Sequence, residues 1–248
     1  MKLQQIFKQT LNESDWQEEH NRLTIQAMKD WCQKMRLRDV RVSKEGNEFV
    51  LNCSGNVRII ADDLDYDDDN MVFLPYKFGE VEGDFSIAAG KFTKMRNLKN
   101  CPYMVYGNFK AAGLWLESLE GGPGSVGNDF DVSDNQLKDW SGVPSQAGRI
   151  KIQNNKITSF KGVAREVTMC NEIWVGTDCR SGVLELLQVE GLEHIEFVAE
   201  IATQFAKNEA KEIVTAGRII DKHLQGDRDA IDLQSDFIDA DLHDWVKR

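Results

Sequence analysis

The sequence predicts an α/β repeat protein: a solenoid carrying a short parallel sheet, flanked by N- and C-terminal helices. Three observations predict it. Apolar residues recur at fixed offsets through the middle of the chain, glycines and prolines recur between the copies, and helical stripes stand at both ends.

The repeat is clearest in two neighbouring segments. Phe130, Val132, Asn135, Leu137 and Trp140 are followed by Pro144, while Ile150, Ile152, Asn155, Ile157 and Phe160 are followed by Ala164. Counted from the first apolar residue, the shared positions are +2, +5, +7 and +10. Upstream, Phe109, Ala111, Leu116, Leu119 and Pro123 keep the same offsets. Phe85, Ile87 and Phe92 start another copy, in which Leu98 and Pro102 come three residues late. Val57, Ile59 and Leu64 make a fainter copy, and Ile173-Trp174-Val175 opens a last one. Steps between copies are 24 (85 to 109), 21 (109 to 130) and 20 (130 to 150).

Strand side chains alternate, so the residues at +0 and +2 face one core while +1 faces outward. The +7 and +10 residues return to that core from the back of the coil. An Asn at +5 can bond backbone groups where the chain leaves the strand. Gly55, Gly83, Gly107, Gly127 and Gly148 precede the copies and permit the turns. A single coil cannot bury its own apolar set, whereas a stack does.

This pattern resembles the short bacterial type of leucine-rich repeat, whose core reads L-x-V-x-x-N-x-L-x-x-L with a following proline. Similar degenerate repeats occur in bacteriophage-encoded proteins and secreted bacterial effectors. The resemblance covers about half of the chain. It implies a leucine-rich-repeat-like fold and a tendency to bind proteins, and it carries over no enzymatic residue. It departs at +5, where Asp62, Gly90 and Leu114 break the Asn ladder.

Ahead of the repeats, Ser14 to Gln17 has capping-box spacing, and Trp16, Leu23, Ala27, Trp31 and Met35 form a stripe expected to cap the solenoid. Asp39 to Ser54 reads as a hairpin around Glu45-Gly46-Asn47. Behind the repeats, Val198, Ala202 and Phe205, then Ile213, Ala216, Ile220 and Leu224, read as helix interrupted at Glu209 and weakened by Gly217. This run suits capping or self-association through the C-terminal helix. Beyond Gly226, acids alternate with Ile231, Leu233, Phe237, Ile238, Leu242 and Trp245, in a helix packed on the body or a segment that orders on a partner. The expected organisation is a helical cap (1–38), a hairpin (39–54), the solenoid (55–192), C-terminal helices (193–226) and an acidic amphipathic tail (227–248).

Composition narrows the function. A net charge of -11 disfavours nucleic acid, which needs a basic footprint, and suits a basic partner. No apolar run approaches a membrane span, and Met1 to Gln5 lacks a secretory leader, so a cytoplasmic protein is expected. Five widely spaced cysteines suggest buried reduced thiols. Gly122 to Gly127 spells G-x-G-x-x-G but precedes a strand instead of a helix, so no dinucleotide site is expected. Asp63, Asp65, Asp67 and Asp69 alternate like the start of a calcium loop, yet Asp68 replaces its glycine and Leu74 its glutamate; a solvated acidic loop is expected. His20, His194, His223 and His243 have no metal-binding spacing, and no cofactor or catalytic constellation is implied.

The +1 residues should line up across the sheet as Arg58, Ser86, Lys110, Asp131, Lys151 and Trp174. Charges with one aromatic suit recognition of a protein, so the expectation is a non-enzymatic interaction protein, phage-encoded if the resemblance holds, that engages a host or viral protein through this face or the acidic segments. A nucleic-acid mimic directed at a DNA-binding protein, or a virion assembly protein, is the alternative.

Overall fold

The computed structural model describes residues 13–90, 93–199 and 207–246. Strands β1 (Val40–Glu45) and β2 (Glu48–Cys53) form an antiparallel hairpin, and from β2 onward all pairing between strands is parallel. About six coils follow, and each early coil contributes two short strands. Ladder A runs from β2 through β4 (Phe78–Val81), β6 (Met104–Val105) and β8 (Ser125–Val126). Ladder B runs through β3 (Val57–Ile60), β5 (Phe85–Ala88), β7 (Phe109–Lys110) and β9 (Asp129–Asp131). Strand β10 (Gln146–Lys151) pairs with β8 at Gln146 and with β9 at Ile150, so the ladders fuse into longer strands. β11 (Met169–Gly176) and β12 (His194–Val198) complete the stack. A short helix, α2 (Val163–Glu166), and 3-10 turns at Ala61–Asp63, Val183–Gln188 and His243–Val246 fill the remaining sides.

The repeat register matches the expected one. Phe85 pairs with Phe109, Phe109 with Phe130, Phe130 with Ile150, and Ile150 with Ile173. These side chains are fully buried; Phe85, Phe109 and Phe130 stack with centroids 5.6 and 5.3 Å apart. Each such burial contributes about 1.5–3 kcal/mol. Phe92 lies outside the described residues, and the position assigned to it belongs to Met95, whose N–H bonds Leu114 O. The late residues of this copy thus begin before Met95. In the first coil, Val72 donates its N–H to Lys94 O, so the acidic segment 62–71 projects as an insertion, although Leu64 is still buried.

Left-handed residues recur at the turns of the coils. Asn100, Gly121, Gly142, Gly162 and Gly182 are all left-handed. At Gly121 a Cβ would sit 2.6 Å from Lys99 Cα, so glycine meets both the backbone and the packing demand.

Both ends of the stack are covered. On α1 (Glu13–Lys34) the buried residues are Met28, Trp31 and Cys32, with Trp31 edge-on to Phe78. The expected stripe is therefore corrected: Leu23 and Ala27 are exposed, because only the C-terminal half of the helix lies on the first coils. The side chains of Ser14 and Glu209, and residues Ala202 and Phe205, lie outside the described residues. The segment from 193 opens with β12, where helix was expected: Ile195 enters the core and the strand extends ladder B. Helix α3 (Lys207–Leu224) then buries Ile213, Ala216, Ile220 and Leu224 and runs uninterrupted through Gly217. The tail packs on the body as α4 (Ala230–Asp239), capped by the Asp229 carboxylate, with Leu233, Phe237 and Trp245 buried. Arg228 ties it down by donating to the carbonyls of Leu187, Val189, Leu192 and Leu224.

Candidate protein-interaction face

Ladder B presents an outward face with two polar rows. The register places Arg58 beside Ser86, Ser86 beside Lys110, Lys110 beside Asp131, Asp131 beside Lys151 and Lys151 beside Trp174. The six residues expected in one line are in one line. A second row, which sequence reasoning missed, lies two residues earlier along the chain, just before each first apolar position, and contains Asn108, Asp129, Arg149, Glu172 and His194. Its signal was the polar residue preceding every first apolar position.

The two rows are cross-linked. Asp129 receives Arg149 Nε at 3.1 Å and Lys151 Nζ at 2.7 Å, and Arg149 also reaches Glu172 at 3.4 Å. Burial opposes the Asp129 charge, but its bonds to Lys151 and Arg149 hold the carboxyl below the usual range. Trp174 lies beneath Lys151 Nζ at 4.9 Å and the Arg149 guanidinium at 5.1 Å, and its indole N–H donates to Glu172. Lys110 is freer, with its side chain 62% exposed and Asp131 3.8 Å away. At the end of the row, His194 bonds Asp221 at 2.7 Å and Glu196 at 3.2 Å.

The acidic loop does not join this face. Asp67 accepts the N–H groups of Asp69 and Met71, Asp69 pairs with Arg96 at 2.9 Å, and Asp65 lies 3.9 Å from Lys34. Asp63 is exposed. Among the described residues, no group of three or more His, Cys, Asp and Glu is arranged to hold a metal. All five cysteines are free and buried, and burial pushes the Cys32 thiol up to about 11. Gly122 to Gly127 contains β8 and runs on into β9, with no helix behind it to receive a pyrophosphate. On ladder A a cleft of about 410 Å³ lies beside the hairpin, where Tyr103 donates to Glu80 at 2.7 Å, a bond that pushes its hydroxyl up to about 12.

Among the described residues no helix is long and apolar enough to cross a membrane. Comparison with protein families, with curated proteins and with solved structures finds no match for this chain.

Proposed function

We propose that this chain is a non-enzymatic, cytoplasmic interaction protein that binds a protein partner through the outer face of ladder B. The observation that carries this reading is the cross-linked lattice of Asp129, Arg149, Lys151, Glu172 and Trp174. Side chains fixed before contact lose little rotamer entropy on binding. The indole supplies an aromatic anchor, and the interleaved charges give register and reject mismatched partners. That interleaving also argues against nucleic-acid mimicry, which needs carboxylates unneutralised at phosphate-like spacing.

The test is affinity purification from the native cell, comparing wild type with a variant changed at Lys110, Asp131, Lys151 and Trp174. Loss of the recovered partners, with an unaltered circular dichroism spectrum, is expected. Recovery equal to wild type overturns the reading.

A further inference from the structure

The third side of the solenoid, the return path from ladder B, carries a surface separate from the proposed face. Its backbone register is set by Met95 N–H to Leu114 O, Gln136 N–H to Leu116 O and Lys156 N–H to Leu137 O. Met95, Leu116, Leu137 and Ile157 point inward and are buried. Their neighbours point outward and form two columns, one with Lys94, Trp115, Gln136 and Lys156, the other with Arg96, Glu117 and Lys138. In a chain of net charge -11, these two columns hold four exposed cations, Lys94, Arg96, Lys138 and Lys156, and one exposed carboxylate of their own, Glu117, while Asp69 of the acidic loop pairs with Arg96.

Trp115 stands at the middle of this strip. The residue is 53% exposed, and Lys94 Nζ lies 4.9 Å over the ring. Its backbone is left-handed, with φ 63, a conformation that disfavours a bulky side chain and favours glycine. The fold explains the backbone: the N–H groups of Leu114 and Leu116 both point at Asn135 Oδ1, at 3.0 and 2.9 Å, and Trp115 turns left-handed between them. Nothing in that arrangement requires an indole. A large aromatic held in a strained position while half exposed is a feature of recognition sites.

A carboxylate already occupies one end of the strip: Asp69 of the acidic loop pairs with Arg96 at 2.9 Å. We infer that the strip around Trp115 docks an acidic segment of a partner protein, its carboxylates on Lys94, Lys138 and Lys156 and an apolar side chain on the Trp115 ring. A nucleic acid fits less well, because its unbroken row of phosphates would also run past Glu117 and the acidic loop, whereas a short peptide can place its few carboxylates on the lysines alone.

Fluorescence anisotropy tests this with a fluorescein-labelled peptide of alternating Glu and Asp around a central Phe. Its lysine counterpart and an oligothymidylate serve as comparisons. Saturable binding of the acidic peptide is expected, weakened about tenfold or more by Trp115→Gly and by the pair Lys94→Glu and Lys138→Glu. The ladder B variant should bind it as wild type does, which separates this inference from the proposed function. Trp115→Gly should keep or raise the melting temperature, since glycine suits the backbone. Absence of saturable binding, equal affinity in the variants, or tighter binding of oligothymidylate overturns the inference. A lower melting temperature for Trp115→Gly does so too, because the ring would then be held for packing.

Discussion

Asn135 is buried between two coils with its amide fully used. Its oxygen accepts from Leu114 and Leu116, and its nitrogen donates to Ala111, Val132 and Ser133. Replacing it by alanine leaves two N–H groups and a carbonyl of the preceding coil unpaired. Each orphaned buried group costs on the order of 1–3 kcal/mol, so Asn135→Ala should lose at least about 3 kcal/mol in urea unfolding. A loss below about 1 kcal/mol would show that water replaces the amide. This role was legible in the sequence because Asn135 and Asn155 recur at one offset, and Asn155 repeats the bonding to Leu137, Val132 and Ile152. Trp115 was not legible. A backbone angle depends on what the next coil offers, and no spacing in the chain announces it.

At the scale of elements, β12 would present a free edge where the solenoid stops, and α3 closes it. Asp221 on α3 accepts the Ile195 N–H at 3.1 Å and His194 Nδ1 at 2.7 Å. Burial works against a charged His194, but its bonds to Asp221 and Glu196 outweigh that effect and raise its pKa above 6.5. The protonated ring therefore favours the folded state. Its contribution is complete below pH 6.5 and fades as pH rises through the folded value. His194→Gln should flatten the decline of stability between about pH 6 and 8, measured by urea midpoints across that range. A variant with the wild-type slope would place the pH dependence elsewhere. The sequence marked the helix but missed the strand before it, since Val198 and the residues after it fit one helical stripe. Tertiary pairing with β11 overrides that local periodicity. Likewise α1 shows a stripe along its length, but only residues that reach the first coils become buried.

Across the whole molecule, stability is shared between neighbouring coils. Phe109 stacks on Phe85 before it and on Phe130 after it. Phe109→Ala should cost about 3–5 kcal/mol in the central stack. Hydrogen exchange should then accelerate in the coils on both sides as well as in the coil that carries the change, because each coil is stabilised by its neighbours. Faster exchange confined to the altered coil would show that the coils are energetically independent.

The periodicity of the chain was enough to read the repeat, its register, the turns, the bonded asparagines Asn135 and Asn155 and the line from Arg58 to Trp174. All of these are periodic, and stacking converts a period along the chain into a row in space. Packing between coils set the second ladder, the fate of the tail, the pairing of charges on the face and the strained Trp115. These depend on contacts between coils at positions where the residues change from copy to copy. There the period says where a side chain lies, and only the packed neighbours say what it touches.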